Sequence, residues 1–248
     1  MRCKVFSVRN LKEILRDPIN ISLGLAFPLL ILLLLWFINR NIPAQAQMDL
    51  YQVKKLIPGI AVFGYSFICL FSATLISKDR GSAFLVRLFA SPMCPRDYIL
   101  GYTLPMLPLA LAQTLICYAA AALLGLKLNG FTLLSALVQL PATALFIFLG
   151  LLAGSAFNDK QVGGICGALL TNLCGWLSGT WFDLSMIGGT FKTIAYCLPF
   201  ANAVDVGRLT LQGSFGTEFW QKLSIVCAYA LVIGLLSVFT FRRKMKVQ

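Results

Sequence analysis

Long apolar runs separated by short polar, charged stretches set the pattern of this chain. The first element departs from it. In KVFSVRNLKEILRD (residues 4–17), Val8, Leu11, Ile14 and Leu15 recur at helical spacing, with Lys4, Arg9, Lys12 and Arg16 on the other side. Such a helix lies in the plane of a membrane interface rather than crossing it. Asp17-Pro18 ends it, because the residue before proline is pushed out of the helical region. Runs long enough to cross a bilayer follow at about 21–38, 56–77, 98–126, 131–157, 162–181 and 222–241. Pro28 predicts a kink in the first, Pro105 and Pro108 a bend in the third, and Pro141 falls inside the fourth. Between the last two runs, Leu184 to Pro199 is apolar but broken by Gly188, Gly189 and Pro199. It is short for a span and too apolar for an ordinary loop. It predicts a re-entrant or interfacial helical hairpin, whose backbone has to be satisfied by protein or water at membrane depth.

Composition supports the bilayer as solvent. The chain is 58% hydrophobic and 12% charged, with a mean hydropathy of +0.82, whereas soluble domains carry about 25% charged residues. The net charge of +12 would raise nucleic acid in a soluble protein, but no basic surface interleaved with base-stacking aromatics is visible. The Lys and Arg residues flank the apolar runs instead. With the N-terminus in the cytoplasm, fourteen fall on the inner side and seven on the outer. That bias predicts both termini inside, as six crossings require. No small-residue cleavage pattern follows the first apolar run, so no cleaved signal peptide is expected. The eight cysteines show no C-x-x-C spacing and the chain has no histidine, so no metal cluster is expected. Most of the cysteines lie in apolar runs, where Cys acts as a small hydrophobe.

The chemistry-bearing residues are sparse. All nine acidic residues fall in flanks, loops or interfacial segments, none in mid-span. Ion-coupled carriers usually keep an ionisable group in the membrane, although backbone carbonyls at broken helices can bind sodium. Lys192-Thr193 is the only Lys followed by Ser or Thr, and Phe191 stands where a phosphate-binding loop needs glycine. No group of nucleophile, base or metal ligands shares one depth, so no catalytic residue is expected. Gly150-x-x-x-Gly154 and Gly163-x-x-x-Gly167 allow close helix approach, within one subunit or across a dimer. The connector ISKDRGSAFLVRLFASP (residues 76–92) has more definition than a loop needs. Ser77 or Asp79 is suited to cap a helix start, and Ser91-Pro92 to stop it. Phe84, Leu85, Leu88 and Phe89 form an apolar face opposite Arg80 and Arg87. It reads either as an interfacial loop facing lipid or as a short helix inserted into a cleft on a cytoplasmic partner.

Five motifs in order carry a resemblance. LRDP (15–18), FPLL (27–30), KDRG with RLFASP (78–81 and 87–92), WLSGTWF (176–182) and LPFANAVDVGR (198–208) together resemble the permease subunits of type-2 ATP-binding-cassette exporters. The resemblance implies an all-α integral membrane fold with six transmembrane helices. It implies a cytoplasmic amphipathic interface helix in 1–20 and a six-span domain over 21–248. That domain would hold a cytoplasmic coupling helix at 78–92 and a re-entrant outer segment at 182–221. It implies a second permease half, identical or not, and a separate nucleotide-binding subunit that carries ATP and magnesium. This chain would bind no cofactor and catalyse no reaction. Docking would fall to Lys12, Glu13, Arg16 and Asp17 of the interface helix, and to Asp79, Arg80, Gly81, Phe84, Arg87 and Leu88 of the coupling helix. The chain reads G-S-A-F-L-V-R-L where the family more often ends an acidic run in G-T-L-E-R-L, so no salt bridge carries over to that glutamate. The loops are short, without the large extracellular domain of some relatives. The implied location is a bacterial plasma membrane and the implied cargo amphipathic: a drug, a peptide antibiotic or a lipid-like compound. Phe27, Phe63, Phe67, Phe71, Phe146, Phe148 and Trp181 are candidates to line its path, each equally an ordinary packing or lipid-facing aromatic. A self-powered carrier or channel, and a membrane immunity or scaffold protein that moves nothing, remain the alternatives.

Overall fold

The computed structural model describes residues 2–43, 45, 47–82, 84 and 93–245. Every regular element among them is a helix. In chain order the α-helices are α1 (Arg2–Leu15), α2 (Pro18–Asn41), α3 (Val53–Gly81), α4 (Pro95–Thr103), α5 (Met106–Leu123), α6 (Gly130–Val138), α7 (Leu140–Ala156), α8 (Asp159–Val162), α9 (Thr171–Leu177), α10 (Leu184–Ile187), α11 (Gly189–Cys197), α12 (Pro199–Gln212) and α13 (Thr217–Met245), with a short 3-10 helix, Asp49–Tyr51, before α3. Five stretches are long and apolar enough to cross a membrane: Ile21–Asn41, Val53–Gly81, Arg96–Leu123, Gly130–Ala156 and Thr217–Arg243. The expected run at 162–181 takes another form. A π-helix, Gly163–Leu170, joins α8 to α9. Gly163, Gly164 and Gly167 lie in it, and glycine tolerates departures from α geometry that side chains resist.

Prolines set the breaks. The third expected span divides at Pro105 into α4 and α5, and Pro108 falls in the first turn of α5, where no donor is missed. The fourth divides at Gln139 into α6 and α7, with Pro141 in the first turn of α7. By contrast, α2 runs through Pro28 and α3 through Pro58. The hairpin expected over 184–199 is two helices, α10 and α11, and α12 follows from Pro199. Gly188 and Gly189 turn the chain at φ +62° and +55°, a region costly for other residues.

α3 is the central element. Within their most apolar windows, 83% of α3 residues are buried, against 17% in α2 and 22% in α13. Small residues make this possible. A Cβ on Gly150 would lie 2.6 Å from the Cys69 carbonyl oxygen, and one on Gly154 2.6 Å from that of Ala73. The first glycine pair therefore seats α7 directly on α3. The second pair is open: nothing lies within 4 Å of a Cβ on Gly163, and only the Leu70 side chain, at 3.5 Å, near one on Gly167.

The buried face of α1 differs from the expected one. Phe6, Asn10 and Ile14 are buried while Val8 and Leu15 are exposed. The expected stripe is rotated because Phe6 enters the space left by Gly101 of α4, and the Asn10 amide donates to the Gly101 carbonyl at 2.9 Å. Arg9, expected on the polar side, turns inward with them.

Candidate functional site

The end of α3 is clamped to α1 and α4. Arg9 grips the Asp79 carboxylate with both nitrogens, Nη1 to Oδ2 at 2.8 Å and Nη2 to Oδ1 at 3.2 Å. It also pairs with Glu13 at 2.5 Å. The Tyr102 hydroxyl donates to Asp79 Oδ2 at 2.9 Å. Asp79 is 5% exposed at its side chain and Arg9 34%, so the carboxylate is out of solvent and held by three donated hydrogen bonds while the guanidinium stays partly exposed. Phe84 closes the clamp, with the Arg9 guanidinium 4.2 Å from its ring centre and Phe6 stacked on it at 6.5 Å. Arg80 ties the same turn to α7, donating to the Gly154 carbonyl at 2.8 Å. It thereby satisfies one of the carbonyls left open at a helix C-terminus.

These placements correct part of the expected docking surface. Lys78 to Gly81 are the last turn of α3, not the start of a separate helix, and Ser82 caps that turn at its C-terminal side. Ser77 and Asp79 thus cap no helix start, because the helix continues through them. Asp79 is buried by its partners, so it is internal rather than a face offered to another subunit. Arg87 and Leu88 lie outside the described residues, as does most of the expected coupling helix. On α1, Lys12 and Arg16 are exposed, Glu13 is engaged by Arg9, and Asp17 lines a small crevice with Glu13 and Lys78.

About 21 Å from Asp79 along α3, near its middle, sits a chain of uncharged polar groups that the sequence reading missed. The Tyr65 hydroxyl meets Thr114 at 2.8 Å and donates to Gln139 Oε1 at 3.1 Å. Gln139 Nε2 donates to the Tyr118 hydroxyl at 3.4 Å, Tyr118 meets Ser135 at 2.8 Å, and Ser135 donates to the Gly207 carbonyl at 3.0 Å. The chain links α3, α5, the α6–α7 break and α12. The visible signal is Tyr, Thr, Gln and Ser recurring inside apolar runs, together with Gly64, which makes room for Gln113. Gln113 Oε1 has no hydrogen-bond partner among the described residues.

The aromatic candidates separate into groups. Phe27, Phe63, Phe67 and Trp181 form one cluster, with centroids 5.7 to 6.1 Å apart. Trp181 is held by Tyr51, whose hydroxyl donates to the Trp181 carbonyl at 2.6 Å, while its indole nitrogen has no partner among the described residues. Phe71 fills the space beside Gly24, and Phe148 lies against Gly234. Phe146 is fully buried between Tyr65 and Phe200. It packs the interior of this chain, so it lines no path open to cargo within this subunit.

The opposite end of α3 carries an ion network. Asp205 of α12 accepts from Lys222 at 2.5 Å, from Arg208 at 3.4 Å and from the Tyr196 hydroxyl at 3.0 Å. Arg208 also donates to the carbonyls of Lys55 at 2.9 Å and Gly179 at 2.8 Å. Burial pulls the Arg208 guanidinium below its ordinary value, and Asp205 opposes that pull. Burial, then the Asp205 charge, push the Tyr196 hydroxyl up to about 12. Gly207 is required here: a Cβ would lie 2.6 Å from Pro58 and 2.8 Å from Gln139.

A helical molecule with apolar spans, charges at both ends and a neutral polar middle is an integral membrane protein. The model of the ABC-2 type transporter family matches residues 1–211, and the chain belongs to that family. It is the permease component of an ATP-binding-cassette transporter. Permeases of this family form the membrane passage and generally work with an ATP-binding subunit. No curated protein matches the chain.

Proposed function

We propose that this permease is one half of an exporter for an amphipathic compound: a drug, a peptide antibiotic or a lipid-like molecule. A second half completes the passage, and separate nucleotide-binding subunits bind ATP and magnesium and drive it. The termini face the cytoplasm of a bacterium. The observation that carries this reading is the clamp of Arg9, Asp79 and Tyr102. It joins the amphipathic α1 to the last turn of the most buried span, immediately before the segment in which a coupling helix is expected. A push on α1 would therefore reach α3 through this clamp. Lys12 and Arg16 stay exposed for a partner surface. The open face at Gly163 and Gly167 supports pairing with a second half. Phe27, exposed, and Phe67, half-buried, offer an apolar lining for cargo, backed by the buried Phe63.

Gentle extraction from the native membrane tests the reading. An ATPase subunit should co-purify, and its absence would count against the proposal. Arg87→Glu should lower ATPase-coupled transport at least tenfold in vesicles while leaving expression intact. Unchanged transport would remove Arg87 from the docking surface.

A further inference from the structure

Two cavities open at the end of the molecule where α3 begins, and their charges differ. One, of about 300 Å³, holds the Asp205 network with Asp49, Lys55 and Glu218. Each of its cations is matched: Arg208 and Lys222 by Asp205, Lys222 also by Glu218, and Lys55 by Asp49. The other, of about 610 Å³, lies between the last turn of α2, the first turn of α3, the α5–α6 linker and the start of α6. Arg40, Lys54 and Lys127 line it, and no Asp or Glu does. None of these three forms an ion pair among the described residues. Arg40 rests over the Trp36 ring at 5.1 Å, an interaction that leaves its charge uncompensated. Three like charges around one basin repel each other, and an anion placed among them converts that repulsion into attraction. The basin falls within the range of about 300–1,000 Å³ usual for small-molecule sites.

We propose that this basin binds the headgroup of an anionic phospholipid. Its depth argues for lipid over a soluble anion. Arg40 and Lys54 belong to the terminal turns of membrane-length helices, and Lys127 follows α5 closely, so all three sit at headgroup level. Trp36 and Tyr51 line the basin as well, and these are the aromatics that favour the membrane–water boundary. α2, one of its walls, is the least buried span. Leu33, Leu34 and Phe37 on it, and Leu123 and Leu128 beside Lys127, are exposed, giving the acyl chains an apolar surface below the headgroup. The site is independent of which cargo the permease moves.

The test places the full chain in phosphatidylcholine nanodiscs with brominated phosphatidylglycerol or brominated phosphatidylcholine at matched mole fractions. Trp36 quenching is isolated by subtracting the Trp36→Phe signal. Each cation near a headgroup contributes roughly fivefold in affinity. Brominated phosphatidylglycerol should therefore quench Trp36 at a mole fraction at least tenfold lower than its zwitterionic counterpart. The combined Arg40→Gln, Lys54→Gln and Lys127→Gln variant should lose that preference. The charge-conserving Arg40→Lys, Lys54→Arg and Lys127→Arg variant should keep it, separating loss of charge from loss of fold. Equal quenching by the two lipids, or a preference retained by the glutamine variant, would overturn the proposal. Displacement of the brominated lipid by millimolar inorganic phosphate would overturn it too, assigning the basin to a soluble anion.

Discussion

Asp79 joins three helices through one carboxylate. It accepts from Arg9 twice and from Tyr102, and its side chain is 5% exposed. Asp79→Ala should lower stability by about 3 kcal/mol, the low end for breaking a buried pair, because Arg9 keeps Glu13 as a partner. Thermal unfolding of the detergent-solubilised protein measures it, and a loss under about 1 kcal/mol would demote the clamp to a surface salt bridge. At the other end, Tyr196 gives a pH signature. Its folded value, about 12, stands above the ordinary 10. Its contribution is thus complete below pH 10 and lost as pH rises towards 12. Subtracting the alkaline unfolding curve of Tyr196→Phe from that of the wild type should isolate this arm. If the two curves run parallel between pH 10 and 12, burial and the Asp205 charge do not raise the Tyr196 hydroxyl.

Among elements, the two glycine pairs have opposite environments although their sequences look alike. Gly150→Ala would press a methyl against the α3 backbone, which cannot retreat as a flexible side chain would. Overpacking of this kind costs about 1–3 kcal/mol. Gly163→Ala adds a methyl where nothing lies within 4 Å, so the subunit should keep its stability. If a second half seats there, Gly163→Leu should reduce dimer recovery on gentle extraction without lowering the melting temperature; undiminished pairing would move the dimer contact elsewhere. The spacing G-x-x-x-G was legible in the sequence, but its partner was not, because periodicity along one helix does not say which neighbour lies opposite. The apolar runs were legible for the same reason that they form: about 20 apolar residues suffice for a span. Helix phase was less legible. The stripe expected on α1 was read from side-chain polarity, whereas Asn10 is buried with a hydrogen bond to Gly101 and Arg9 is turned inward by the Asp79 carboxylate. A polar residue with a buried partner looks solvent-facing until that partner is known. The break at Asp17-Pro18 needed no partner, and it falls between α1 and α2 as expected.

Across the whole molecule, ion pairs gather at the two ends of α3, about 40 Å apart by helix rise. Between them run apolar packing and the neutral chain from Thr114 through Tyr65, Gln139, Tyr118 and Ser135 to Gly207. This arrangement suits a subunit that receives mechanical force at one end and opens at the other, since no charge has to cross the interior. Gln139 is the middle link: it stands at the α6–α7 break, touches Tyr65 and Tyr118, and its amide lies beside the position a Gly207 Cβ would take. Its hydrogen bonds, at 3.1 and 3.4 Å, are long, and such bonds within membranes average about 0.6 kcal/mol each. Gln139→Leu should therefore cost about 1 kcal/mol and leave the protein folded, with Thr114 still bound to Tyr65 and Ser135 to Tyr118. Transport should fall much further, at least fivefold in vesicles carrying the ATPase partner, because α12 would lose its mid-span hydrogen-bonded connection to α3 and keep only that of Arg208 to the Lys55 carbonyl at the end. Basal ATP hydrolysis should persist. The comparison distinguishes a conduit from a packing detail: transport falling only in proportion to the folded fraction would make the polar chain structural alone, whereas transport lost with folding intact ties the clamp at one end of α3 to the ion network at the other.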